Sequence, residues 1–269
     1  MRVRISKVVA LAAAFVLTGT ASFSGATAAV AGAHVQPKPT IVLVHGAFAD
    51  SASWSGVIER LQQRGYPVVA AANPLRGLSS DAAYVRTVID SVKGPIVLAG
   101  HSYGGAVMTN AAAGDPDVKA LVYIAAFAPD KGESALELSN KFPGSTLGGT
   151  LAPVALGDGT NDLHIRQDLF RKQFAADVPK QQASLMAVTQ RPIRDAALSE
   201  GSGEPAWKMI PSWFLVAGAD LNIPVEAQRW MAERAGSRGT VEIRKASHAV
   251  GVSQPRPVAD LIVRAAIAR

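Results

Sequence analysis

The sequence predicts an α/β fold in which a mostly parallel sheet of about six strands carries helices on both faces. Two observations predict it: short apolar runs rich in β-branched residues recur along the chain, and longer segments with apolar residues at helical spacing separate them. Runs that are apolar throughout describe strands buried on both faces, the state of a parallel sheet between helix layers. A third observation sets the scale. The 269 residues are 48% hydrophobic and 18% charged, a composition that fills one sizeable core and excludes a disordered or fibrous chain.

The first 33 residues stand apart from this fold. Arg2, Arg4 and Lys7 form a basic start, Val8 to Leu17 an apolar run, and small residues follow through Ala26-Thr27-Ala28 and Ala31-Gly32-Ala33. That is the layout of a secretory signal peptide, with cleavage expected after Ala28 or Ala33 and the mature protein secreted or periplasmic. The apolar run is short of the ~20 residues a spanning helix needs, so no stable membrane insertion is expected. The chain has no cysteine, so neither a disulfide nor a lipidated cysteine can tether it. Removing the three basic residues of the signal lowers the formal charge from +6 to +3, and no run of Lys and Arg interleaved with aromatics occurs, which argues against a nucleic-acid partner.

Residues 34–39 are polar and contain two prolines, a linker into the domain at 40–269. Strands are expected at Thr40–Val44, Tyr66–Ala71, Pro95–Ala99, Val118–Ala125, Ser212–Ala217 and Thr240–Arg244. Helices are expected at Ala52–Arg64, Ser79–Val92, Tyr103–Ala113, Val225–Ala235 and Pro257–Ala268. From about Lys131 to Ile210 no strand is expected. A Gly-rich stretch, Pro143–Gly159, precedes helix-like pieces at Asp162–Ala175 and Lys180–Thr189, which reads as a helical cap inserted before the penultimate strand.

The chemistry concentrates at strand ends. Gly100-His101-Ser102-Tyr103-Gly104 fits G-x-S-x-G with an apolar strand entering and a helix leaving, the context in which a strained turn lifts a serine oxygen out of the sheet. A serine hydroxyl needs a base. Of the five histidines, His248 lies in the loop between the last strand and the last helix, whereas His164 falls in the cap. The base needs an acid to hold its tautomer. Asp220, reached from the strand Trp213–Val216 through Ala217-Gly218-Ala219, is preferred to Asp130 at the start of the cap. The oxyanion hole of such a site takes the N–H after the nucleophile, Tyr103, and one from the loop after the first strand, for which Ala47 in Val44-His45-Gly46-Ala47-Phe48 is chosen. His45 reads as a structural hydrogen-bonder. No HExxH, clustered ligands, G-x-G-x-x-G or P-loop appears, so neither a metal nor a nucleotide cofactor is expected.

At these residues the sequence resembles the α/β-hydrolase superfamily, nearest its small-esterase and hydroxynitrile-lyase branch. The marks are Val44-His45-Gly46-Ala47 with Trp54 downstream, Gly100 to Gly105, Gly218-Ala219-Asp220 with Ile223-Pro224, and Ser247-His248-Ala249. The resemblance implies hydrolysis of a small-molecule ester through an acyl-enzyme, with Ser102 as nucleophile, His248 as base and Asp220 as the acid. The plant lyases of the branch carry Lys after the catalytic His and Thr after the first-loop His; Ala249 and Gly46 stand there instead, which argues against lyase chemistry. Two alternatives share the scaffold: a cofactor-free perhydrolase using the same triad, and a small-ligand receptor that turns over slowly or not at all. No oligomeric state is implied.

Overall fold

The computed structural model describes residues 37–268; the signal peptide expected at 1–33 and the first half of the linker lie outside the described residues. Nine strands, ten α-helices and three 3₁₀ turns follow one another among these residues. The frame is β1 (Thr40–Val44), α1 (Ser55–Gln63), β2 (Val68–Ala71), α2 (Leu78–Asp90), β3 (Ile96–His101), α3 (Tyr103–Ala111) and β4 (Val118–Ile124). The cap then supplies α4 (Ala135–Asn140), β5 (Leu151–Ala155), β6 (Asn161–Ile165), α5 (Gln167–Phe174), α6 (Lys180–Thr189), β7 (Ile193–Arg194) and α7 (Asp195–Ser199). The frame resumes with β8 (Ser212–Ala217), α8 (Val225–Arg234), β9 (Gly239–Ile243), α9 (Val250–Ser253) and α10 (Pro255–Ile267).

Six strands form one sheet in the order β2-β1-β3-β4-β8-β9, and every pairing in it is parallel. Side chains alternate across a strand, so each central strand feeds two apolar layers. Val42, Leu98, Leu121 and Phe214 join the layer that packs α2, α3 and α8, through residues such as Val85, Val107 and Met231. Ile41, Val97, Val122 and Leu215 join the other, where Val57 and Leu61 of α1 meet Val258, Leu261 and Ile262 of α10. Because both faces are covered, the strands read as unbroken apolar runs.

The chain winds outward from β1 in both directions, so loops leaving β1 and β3 diverge at their C-terminal ends and open a crevice. Ala47 follows β1, Ser102 follows β3, Asp220 follows β8 and His248 follows β9. These four positions, and Tyr103 directly after Ser102, therefore sit along one end of the sheet.

The cap departs from the helical expectation. A three-stranded antiparallel sheet, β5-β6-β7, accompanies its helices, and the piece expected as one helix from Asp162 is strand to Ile165 and helix only from Gln167. The physical reason is exposure. Val154 is 52% exposed and β6 begins Asn161-Asp162, so these strands bury too little on either face to carry an apolar pattern. The helix expected over Ala52–Arg64 also divides, into a 3₁₀ turn at Ser51–Trp54 capped by the Asp50 carboxylate and then α1.

Candidate active site

The turn from β3 into α3 holds Ser102 at φ 54°, ψ −126°, a backbone conformation that L-residues adopt only under constraint. The constraint comes from β4 and its exit loop: the Ser102 N–H donates to Ile124 O at 3.3 Å, and its carbonyl accepts from Gly105 N–H at 3.0 Å and Phe127 N–H at 3.1 Å. Glycine is required on both sides for space. A Cβ on Gly104 would stand 2.3 Å from Val44 O, and one on Gly100 would stand 2.6 Å from Gly104 O. The helix N-terminus that follows offers partial positive charge to an anion forming at Ser102.

Asp220 enters where the chain crosses the end of β9, so closely that a Cβ on Gly218 would lie 2.7 Å from Arg244 Cα. Its carboxylate is fully occupied. Oδ1 accepts from Asn222 N–H at 2.7 Å and Ile223 N–H at 3.1 Å; Oδ2 accepts from Gln228 Nε2 at 2.9 Å and faces His248 Nδ1 at 2.7 Å. Both side chains of the pair are buried. Asp130, the rival acid, instead pairs with Lys208 Nζ at 2.6 Å near the surface, and that hydrogen bond holds its carboxyl below the usual range. His164 stands in the cap, but on strand β6 where a helix was expected.

His248 is held from three sides. Phe174, at the end of α5, lies edge-on with ring centres 4.9 Å apart, and its carbonyl accepts from the Ala249 N–H at 2.9 Å. His101 lies with its ring centre 4.7 Å away and its Nε2 2.9 Å from the His248 carbonyl. A carbonyl only accepts, so His101 carries its proton on Nε2. Burial, followed by the neighbouring His248, pushes the His101 pKa down to about 3. His45 bonds through Nδ1 to the Gly46 carbonyl at 2.9 Å, and burial pushes it down to about 4. It is a neutral structural group, as expected from the sequence.

The Ser102 hydroxyl has no hydrogen-bond partner among the described residues, so no Ser102–His248 bond is closed; a catalytic contact of this kind often tightens only around substrate. Ser102, Ala47 and Tyr103 line one open pocket. Neither the Ala47 nor the Tyr103 N–H donates to a partner among the described residues, whereas the next N–H in the first loop, that of Phe48, is used on Arg191 O at 3.0 Å. The opposite wall comes from the cap, through Ala135, Leu147 and Leu198, and from Asn222 and Ile223 after β8. No charged side chain lines the pocket. Among the described residues no group of three or more potential ligands could hold a metal, and no helix is long and apolar enough to cross a membrane.

Sequence reasoning missed four residues. Gln228 on α8 holds Asp220, Phe174 and His101 wall the His248 ring, and Asn222 borders the pocket. Only Gln228 carried a signal, a polar residue on the face of α8 that buries Ala227 and Met231.

Comparison with known proteins agrees with this architecture. The model of the Alpha/beta hydrolase family matches residues 41–261. An esterase of Oryza sativa subsp. japonica, PIR7B, is 25% identical over 260 residues, covering 85% of this chain and 96% of the relative. A pyrethroid hydrolase of Sphingobium wenxiniae is 28% identical over 251 residues, covering 82% and 85%. The crystal structure of polyneuridine aldehyde esterase superposes with a TM-score of 0.74 at 20% identity, covering 85% of this chain and 99% of that one, a likeness of fold.

Proposed function

The chain belongs to the alpha/beta hydrolase family, and from that premise we propose that it is an exported serine hydrolase cleaving small carboxylic esters through an acyl-enzyme. The observation that carries the reading is the buried His248–Asp220 pair at 2.7 Å, at the same end of the sheet as a serine held in a strained turn. With Nδ1–H given to Asp220, His248 presents an unprotonated Nε2 that can take the Ser102 proton. Ser102 Oγ then bonds to the ester carbonyl carbon, and the negative charge on the carbonyl oxygen is met by the Ala47 and Tyr103 N–H groups. Collapse expels the alcohol, which leaves with the proton from His248. Water repeats the sequence on the acyl-enzyme, giving up a proton to His248 and releasing the carboxylic acid and Ser102.

Esterase and pyrethroid hydrolase relatives support an ester as substrate. Export rests on the basic, apolar and small-residue order of the first 33 residues. Turnover of p-nitrophenyl esters of rising acyl length by the mature protein and by Ser102→Ala tests the reading. Hydrolysis by the first and its loss in the second are expected; a wild-type protein inert on every chain length would overturn it.

A further inference from the structure

The loop that carries Asp220 also carries a buried hydrogen-bond donor that the proposed chemistry does not use. Asn222 is 3% exposed and borders the Ser102 pocket. Its backbone N–H is taken by Asp220 Oδ1 at 2.7 Å, and its backbone carbonyl accepts from Ser139 Oγ of α4 at 3.0 Å. Its side-chain Oδ1 accepts from Gln173 Nε2 at 2.8 Å, yet its Nδ2 has no acceptor among the described residues.

The orientation of this amide is dictated by its neighbours. Gln173 Nε2 also donates to the Leu221 carbonyl at 2.8 Å, and Gln173 Oε1 accepts from Thr146 Oγ1 at 2.8 Å. A backbone carbonyl can only accept, so Gln173 must turn its NH₂ toward Leu221 and Asn222, and Asn222 must answer with its oxygen. The Asn222 NH₂ is what remains. Of the buried side-chain polar atoms left without a partner among the described residues, it alone belongs to a residue lining the Ser102 pocket. A buried donor left unmet is costly, and a chain of side chains that fixes it toward no protein acceptor leaves it for a ligand.

From this we infer that Asn222 is a specificity-determining residue, whose Nδ2 donates to an acceptor oxygen on the substrate other than the scissile carboxyl. The pocket walls are mostly apolar, with Ser139, Asn140 and Ser145 among them, and no charged side chain lines it, so the substrate class is a neutral, largely apolar ester with one further carbonyl, ether or hydroxyl oxygen. The inference rests on the proposed ester hydrolysis for its substrate class and on Asn222 alone for its recognition.

Two matched pairs test it, ethyl levulinate against ethyl valerate for an acyl-side oxygen and methoxyethyl acetate against butyl acetate for an alcohol-side oxygen. The wild type is expected to favour the oxygen-bearing member of one pair by roughly tenfold in kcat/KM, carried by KM, the size of one well-made hydrogen bond. In Asn222→Leu that ratio is expected to collapse toward unity. Thr146→Val, at an exposed position that only steadies Gln173, is expected to lower the ratio partway and serves if Asn222→Leu does not fold. The same pairs are measured by calorimetric binding to Ser102→Ala, which needs no turnover. Absence of ester hydrolysis with an Asn222-dependent binding preference intact would sink the esterase reading and leave this inference standing. Ratios unchanged by both substitutions, in turnover and in binding, would overturn the inference while hydrolysis itself survives.

Discussion

His248 Nδ1 and Asp220 Oδ2 lie 2.7 Å apart inside a cluster where every other lone pair of the carboxylate faces an N–H donor. The carboxylate is thereby held without freedom of its own, as the proposed orienting role requires. Asp220→Asn must turn an NH₂ toward donors on one side or the other, and it removes the acceptor that selects the Nδ1–H tautomer of His248. A loss in kcat on the order of 10³–10⁴-fold is expected, with KM little changed. Steady-state kinetics on a short p-nitrophenyl ester checks this, and a loss under about tenfold would remove Asp220 from the proposed role.

Gln228 ties that cluster to α8. Its Nε2 donates to Asp220 Oδ2 and to Ile223 O at 2.8 Å, while its Oε1 accepts from Ala217 N–H at 3.0 Å at the end of β8. Gln228→Leu leaves a buried N–H and a buried carbonyl unmet and is expected to cost about 1–3 kcal/mol of stability, with a smaller loss in kcat than Asp220→Asn. Urea unfolding read alongside turnover checks it. An unchanged midpoint would mean that the bonds of Gln228 are replaced by water.

These two residues mark where the sequence was and was not legible. The elbow could be read because its constraint is local: strand, small residues, serine and helix lie within about fifteen consecutive positions. Strands β1 and β8 could be placed to the residue because burial on both faces leaves an unbroken apolar run between polar ends. Asp220 and His248 followed from their strand ends. Gln228, His101 and Phe174 matter only through partners far away in sequence, as with the His101 bond to residue 248, and no local pattern encodes such a bond. The cap sheet was missed for the opposite reason, since its strands stay half exposed and lack an apolar signature.

The first loop predicts a steric outcome. A Cβ on Gly46 would meet Ser102 Cβ at 2.6 Å and the His101 carbonyl at 2.8 Å, and it would crowd Ser102 Oγ at 3.2 Å. Gly46→Ala must therefore push the elbow and the first loop apart, moving Ser102, the proposed nucleophile, away from the Ala47 N–H. A loss of roughly 10²-fold or more in kcat/KM is expected, the usual size for a misplacement of about 1 Å. Activity near the wild-type level would show that the loop relaxes without disturbing Ser102.

The buried histidines set an acid limit on stability. His45 and His101 resist protonation when folded, with values of about 4 and about 3 against an ordinary 6.5, because burial penalises the charged ring. The unfolded chain takes up protons first as pH falls, so folding is favoured fully above about 6.5 and weakens below it, by about 1.4 kcal/mol per pH unit for each histidine until its folded value is reached. His101→Gln keeps a donor for the His248 carbonyl without a titrating ring. Urea unfolding between about pH 6 and about pH 5 is expected to show a slope shallower by roughly one histidine's share in that variant. An unchanged slope would mean that His101 does not stay neutral in the folded state.

The central claim is that Ser102 attacks the substrate, and covalent capture tests it most directly. A p-nitrophenyl alkylphosphonate offers phosphorus to the nucleophile, loses p-nitrophenolate and leaves a stable phosphonyl ester in place of the acyl group. Intact-mass and peptide mass spectrometry of the purified protein are expected to find one phosphonyl group, on the peptide containing Ser102, with ester turnover lost in step with labelling and no adduct in Ser102→Ala. Labelling at another residue, or full labelling of Ser102 with turnover undiminished, would contradict the account.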